Sequence, residues 1–403
     1  MAIKYNDIKA YLKEKWEFRY NEVANEYEVK TRKKDAEWEV ISLDDLADEL
    51  FTQGWTGFDK MLGPMLRKRD IVPHYDPFNH YFDNLPVWDG ETDYIAELCK
   101  YVHTKDNQFW LTMMKKALVR MYAQSVGKIT FNKQCLTLLG TQNDGKSHFL
   151  RFLCPKPLER YFLDNPPLES KESVRCLAER FILNIDDMSN MPKADLSKIK
   201  SLFAEQNIKV RLPYARDWVT LQRRASFVAS TNEADFLVDH TGNVRWVVIE
   251  VLGIKHDNGG PNGYTAVDID RVWSQAVGLF KQGYAMNLNK DEMEHSERNN
   301  ENYTKDSVEY ELLAGHFEPC TEEMGGYFYQ PKDIVRELFI LYGSAFKLNT
   351  VQIGKALQKM KVQREQTRRP GCTFPVKGYW LRFTNNLPER NALLATTQKI
   401  PAF

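Results

Sequence analysis

The chain has 403 residues, enough for two or three domains that each carry a core. Its 43% hydrophobic and 27% charged content excludes a disordered chain. The 55 basic and 55 acidic residues cancel, so bulk charge names no partner, and any affinity for nucleic acid must come from local segregation of charge.

The six cysteines, Cys99, Cys135, Cys154, Cys176, Cys320 and Cys372, are scattered, with no C-x-x-C and no metal-ligand spacing with His. That pattern points to a reducing cytosol rather than a zinc site. The opening, "MAIKYNDIKAYLKEKWEFRY", is charged throughout and lacks an apolar signal core. Nothing approaches the roughly 18 apolar residues of a membrane span. A soluble, cytoplasmic protein with no membrane partner is expected.

In chain order, "KYNDIKAYLKEKW" has helical spacing, whereas "FRYNEVANEYEVK" and "AEWEVISL" alternate like short strands around the basic turn Thr31 to Lys34. "SLDDLADELF" reads as a helix capped by Ser42. Prolines 73, 77 and 86 predict an irregular aromatic stretch, "PHYDPFNHYFDNLPVWDG", whose rings serve packing. These elements form an N-terminal α+β region, 1–105.

From 106 to 286 the pattern is that of an α/β core. "FWLTMMKKALVRMYAQ" reads as an amphipathic helix, "KQCLTLLG" as a buried strand and "KSHFLRFLC" as a helix start. "ERFILNIDDM", "ASFVASTN" and "RWVVIEV" are further apolar runs, which predicts a largely parallel sheet covered on both faces. The polar stretch "LNKDEMEHSERNNENYTKDSVEYELL" reads as a solvated helical connector within 287–325. In 326–403, "QPKDIVRELFILYG", "NTVQIGKALQKM" and "GYWLRF" suggest helix, helix and closing strand.

The chemistry begins at "GTQNDGKSH", Gly140, Thr141, Gln142, Asn143, Asp144, Gly145, Lys146, Ser147 and His148, a G-x-x-x-x-G-K-S loop between a buried strand and a helix. Its glycines let the loop wrap so that main-chain N–H groups face phosphate oxygens, and the following helix adds its positive dipole end. Lys146 would reach the β- and γ-phosphates of ATP and Ser147 would ligate Mg²⁺. Asp186 and Asp187 end the next apolar run, 40 residues beyond Lys146. Asp186 is assigned to the magnesium through its water shell and Asp187 to the attacking water. Asn232, ending "ASFVASTN", is placed for the γ-phosphate or the water. In "DHTGNVRW", Arg245 is positioned at the core's edge to neutralise γ-phosphate charge from the next subunit, with Arg223 and Arg224 competing for that work.

"GTQNDGKS", "LNIDDM", "FVASTN" and "DHTGNVRW", in that order and spacing, resemble the virulence-associated E (VapE, or VirE-domain) proteins of phages and mobile elements, which look like superfamily 3 helicases. "YFDNLPVWDG" and "KVRLPYARDW" are also similar to family segments, so the resemblance spans roughly 75–310. It implies an AAA+-like P-loop NTPase core that works as a ring, a hexamer, translocating on DNA with ATP. By motif, Lys146 and Ser147 bind nucleotide, Asp186 and Asp187 form the metal and water site, Asn232 is the sensor and Arg245 the finger in trans. The second acid of such motifs is often Glu, and here both are the shorter Asp.

Charge segregation supports a DNA partner. From Lys193 to Arg224 eight basic residues face three acidic ones, and "IKVRLPYARDWVTLQRR" reads as a hairpin. The resemblance aims it into the ring channel, with Lys209, Arg211 and Arg216 on phosphates and Tyr214 stacking on a base of single-stranded DNA. From Phe346 to Phe383 nine basic residues face Glu365 alone. Helix, basic loop and strand there suit a winged-helix-like domain with its wing at Thr367–Gly371, which would take duplex DNA or a protein. The leading function is an ATP-dependent DNA translocase or helicase in replication of a phage or mobile element. An ATP-switched initiator or loader without unwinding is the alternative, and a small-molecule P-loop kinase or GTPase ranks third. A primase or polymerase partner stays open.

Overall fold

The structure, a computed structural model, describes residues 4–33, 35–130, 132–168, 171–188, 191–210, 218–234, 236–237, 245–303, 307–368 and 374–384. Two compact units divide the chain, Met1–Thr304 and Lys305–Phe403.

The first unit opens with α1 (Tyr5–Lys15), then β1 (Trp16–Asn21) and β2 (Glu26–Thr31), an antiparallel hairpin pairing Trp16 with Thr31. β3 (Glu39–Ile41) adds to β2. Ser42 caps α2 (Leu43–Thr52) through a reciprocal box with Asp45, as its side-chain type and position predict. After α3 (Asp59–Leu66), β4 (His74–Tyr75) runs parallel to β1 and completes a sheet of order β3-β2-β1-β4. Helical spacing and strand alternation converge on one small core of Ile8, Leu12, Phe18, Val29, Leu46, Leu50, Leu62 and Met65. The sheet's other face carries Asn21 and Glu28, which reach Tyr161 and Arg160 of the following region.

The stretch expected to be irregular is in part helical. Pro77 stands at the first position of α4 (Pro77–Asp83), where its missing N–H costs nothing, and Asp76 accepts from the N–H groups of Phe78 and Asn79. Phe78, Tyr81 and Phe82 are buried, the packing role read for them. α5 (Tyr94–Cys99), β5 (Val102–Thr104) and α6 (Asn107–Ser125) follow. α6 is less amphipathic than its sequence suggests, with 13 of its 19 residues buried. Two are cations: Lys116 donates to the carbonyls of Ala285 and Asn287 and pairs with Glu292 at 3.1 Å, and Arg120 donates to the carbonyl of Met286 while its Nε finds no partner.

The central sheet holds β6 (Cys135–Leu139), β7 (Phe162–Asp164), β8 (Ile182–Ile185), β11 (Ser226–Thr231) and β12 (Trp246–Ile254), with β5 at its edge, in the order β5-β12-β6-β11-β8-β7. All pairs are parallel except β5 with β12. Between these strands lie α7 (Lys146–Phe152), α8 (Lys171–Glu179), α9 (Lys193–Ala204) and the hairpin β9 (Asn207–Val210) with β10 (Val219–Gln222). Alternate strand residues enter two cores. Leu136, Leu138, Val228 and Val247 pack with α5, α6, α7 and α10 (Ile269–Lys281) on one face. Leu139, Phe227, Ala229 and Val248 pack with α8 and α9 on the other. Both faces being apolar, the strands read as continuous runs.

The polar stretch after α10 is not simply solvated. α11 (Lys290–Glu301) covers the first half of β12, which β5 does not pair, and there Asn300 and Asn299 donate to the carbonyls of Trp246 and Val248. Residues 287–304 close the first unit and the rest of 287–325 opens the second.

The second unit contains α12 (Val308–His316), β13 (Phe317–Pro319), β14 (Tyr327–Tyr329), α13 (Pro331–Tyr342), α14 (Thr350–Lys359), β15 (Glu365–Thr367) and β16 (Val376–Phe383). β16 pairs antiparallel with all three other strands, and Leu313, Phe317, Ile334, Leu338, Ile353, Leu357 and Leu381 form the core against the helices.

Candidate functional site

The parallel strands place their carboxyl ends along one edge of the sheet, where such folds gather ligands. β6 ends at Leu139, and the close quarters of the next residue, Gly140, explain it: a Cβ there would lie 2.8 Å from the carbonyl oxygen of Val251. The loop then turns through left-handed backbone at Asn143 (φ +68°) and Gly145 (φ +81°), an alternation of hand that shapes a concave run of N–H groups. Thr141 Oγ1 donates to Asp144 Oδ2 at 2.7 Å and ties the loop together. Thr141, Gln142, Asn143 and His148 are exposed, whereas Lys146 is buried. α7 is only seven residues long, so the loop and Lys146 contribute more field than its dipole.

Lys146 joins two strand ends. Its Nζ donates to the carbonyls of Gly140 (3.0 Å) and Thr141 (2.6 Å) and to Asn232 Oδ1 (2.8 Å), just past β11. Burial lowers the pKa of this ammonium from its ordinary value, against the opposing pull of Asp144, Asp186 and Asp187. Beside it, Ser147 Oγ donates to Asp186 Oδ1 at 2.6 Å, past the end of β8. Ser230 Oγ donates to the same carboxylate oxygen, and the two serine oxygens are 3.4 Å apart. Asp186 is further held by its own N–H, which donates to Asn165 Oδ1 at 3.0 Å. Asp187 adopts φ +53°, a conformation uncommon for a residue with a side chain.

Lys146, Ser147, Asp186 and Asn232, expected to cooperate, are therefore brought together. Ser230 and Asn165 were missed. Ser230 had a signal, since it stands two residues before Asn232 on the same strand face. Asn165 had none, because its role depends on β7 lying beside β8.

Arg245 is elsewhere. It directly precedes β12, whose Trp246 pairs with Cys135 at the start of β6, so it lies at the opposite end of the strands, about 17 Å of strand from the loop that follows β6. It has no part in this chain's own site. Its competitors are occupied. Arg223, fully buried, donates to the carbonyls of Leu202, Phe203, Glu205, Asn132 and Ala225, and burial lowers its pKa to about 10. It thereby closes the C-terminal end of α9. Arg224 pairs with Asp76 at 2.9 Å. Neither side chain is available to a neighbouring subunit, which corrects their candidacy.

The hairpin has its expected antiparallel root, with Lys209 exposed opposite Thr220. Arg211, Tyr214 and Arg216 lie outside the described residues, as do Asp239, Gly242 and Asn243. Trp218, 61% exposed on the returning arm, is an aromatic that the sequence reading passed over.

Among the described residues no three His, Cys, Asp or Glu side chains converge as a metal cage. The hydroxyl and carboxylate oxygens of Ser147 and Asp186 are hard donors of the kind that fits magnesium, which completes its shell with water and phosphate. Among the described residues no helix is long and apolar enough to cross a membrane.

A family model for the virulence-associated protein E-like domain matches residues 82–305. No match to a curated protein was found. Among solved structures, the apo structure of the NrS-1 C-terminal region is similar at 12% identity, over 93% of this chain and 98% of that one, with a TM-score of 0.51. The SCCmec type IV Cch, described as an active helicase, is 10% identical over 90% of this chain and 92% of that one, with a TM-score of 0.41. The first likeness shows a shared fold.

Proposed function

The chain belongs to the virulence-associated protein E-like family, and from that premise we propose that it is an AAA+-like P-loop ATPase that moves along or unwinds DNA in the replication of a phage or mobile element. The observation that carries the reading is Lys146, buried and hydrogen-bonded across two strand ends to Asn232, beside a serine–aspartate pair. A cation held by two loop carbonyls and an amide oxygen can exchange these partners for phosphate oxygens without moving its backbone.

In this reading Lys146 binds the β- and γ-phosphates while the N–H groups of 141–148 cradle the chain. Ser147 and Asp186 hold magnesium, with Ser230 fixing the carboxylate. Bound there, the metal would neutralise phosphate charge and orient the terminal group for in-line attack. Asp187 accepts a proton from the attacking water and Asn232 senses the γ-phosphate. Arg245, distant from its own loop, serves the neighbouring subunit of a ring, taken as a hexamer. The hairpin carries Lys209, Arg211, Tyr214 and Arg216 to single-stranded DNA.

A DNA-binding initiator or loader is the second reading, favoured by the second unit. There three helices pack on a small antiparallel sheet, which supports the winged-helix-like reading, with Lys347, Lys361, Arg364 and Lys377 exposed. ATP hydrolysis measured with and without single-stranded DNA tests the first reading, which expects stimulation that disappears in Lys146→Ala. Sequence-specific duplex binding with hydrolysis indifferent to single strands would favour the second.

A further inference from the structure

On one side of the loop strand β6 stand β11 and β8, which supply Asn232, Ser230 and Asp186. These groups belong to the γ-phosphate and metal end. The phosphate chain therefore leaves the loop toward the other flank, where β12 is the neighbour of β6. The segment after β12, "KHDNGGPNGY", has no role in the function argued so far.

That segment is built with strain. Asp257 (φ +53°), Asn258 (φ +46°) and Gly259 (φ +83°) are consecutive left-handed residues, and two of them carry side chains. Cross-links hold them: Asn262 N–H donates to Asp257 Oδ2 at 2.8 Å, and Gly263 approaches so closely that a Cβ there would fall 2.0 Å from the His256 carbonyl oxygen. Tyr264 is buried with its ring edge-on to Phe149 and Phe152, both 5.2 Å away, which fastens the segment to α7.

The fixed element presents His256. Its ring lies 5.1 Å from that of Tyr264 and 5.9 Å from that of His148, and its Cδ2 is 3.9 Å from where a Cβ of Gly145 would be. Nδ1 accepts from the Gly259 N–H at 3.2 Å, so in the neutral ring the proton sits on Nε2.

We infer that His256 forms the nucleoside-facing wall of the phosphate-loop site, packing its imidazole against the sugar and base of a nucleoside triphosphate. This rests on the nucleotide reading above. Stacking on a ring face tolerates any base, so His256 adds affinity for nucleosides as a class and little choice among them.

His256→Asn is the decisive variant, because a side-chain oxygen at this position still accepts from the Gly259 N–H while the ring is lost. Binding of ATP, GTP and inorganic tripolyphosphate to the full chain is measured by calorimetry with magnesium present. The expected result is a loss of about tenfold in affinity for both nucleotides, with tripolyphosphate unchanged and the melting temperature preserved. Unchanged nucleotide affinity overturns the assignment, as does an equal loss for tripolyphosphate, which would make His256 a support for the loop. If the unaltered protein binds tripolyphosphate and ATP equally well, the phosphate site stands and the nucleoside wall falls. If it binds neither, the nucleotide reading itself fails.

Discussion

The two larger sheets of the first unit obey different rules. In the N-terminal sheet one face packs on α1, α2 and α3, and the other carries Glu17, Arg19, Asn21 and Glu28, so its strands alternate in sequence. In the central sheet both faces are covered, and β6, β8 and β11 are buried at every position. A sheet with one apolar face and one polar, partly covered face can carry polar residues along its length, as in the guanidinium of Arg19, held between the rings of Trp38 and Tyr75 at 4.1 and 3.9 Å. A fully covered one can place chemistry only at its strand ends. Gly140, Asp186 and Asn232 all lie just past the last residue of a strand.

The largest expected effect tests that last point. Lys146→Ala should lower ATP hydrolysis by about 100- to 1000-fold with far-ultraviolet circular dichroism unchanged, since the side chain works at a strand end and supports neither core. Hydrolysis at the original rate would remove the site from this edge.

Consecutive substitutions separate the two sheets. Leu138→Ala and Leu139→Ala should each destabilise the protein by about 2–5 kcal/mol in urea unfolding, because the two leucines enter opposite cores. In β1, Phe18→Ala should cost about 3–5 kcal/mol, whereas the adjacent, exposed Glu17→Ala should stay within about 0.5 kcal/mol. Comparable losses at both β1 positions would erase the distinction.

Smaller effects sharpen it. Ser42→Ala, which removes one half of the box that starts α2, should cost about 1 kcal/mol. Lys105, 71% exposed in its pair with Glu250, should matter least: Lys105→Ala should change stability by less than about 0.5 kcal/mol.

Much of this was legible along the chain. The loop from Gly140 to Ser147, the paired acids and the asparagine each announce themselves by position after an apolar run, and Ser42 by type and spacing. The contrary cases share a cause. Pro77 read as a breaker because a proline opens helices as readily as it ends them, and only Asp76 behind it decides which. Arg223 and Arg224 read as candidates for a neighbour's phosphate, yet the fold surrounds one with five carbonyls and hands the other to an aspartate nearly 150 residues away in sequence.

Local order along the chain was thus enough to determine strands, helix starts, the loop and family membership, because those depend on neighbours within a few residues. Tertiary structure alone decided that Ser230 and Asn165 hold Asp186, that Arg245 stands at the far end of its strand, and that His256 is aimed at Gly145. Such facts depend on which strand lies beside which, and strand order is set by packing between distant segments that no short stretch of sequence records.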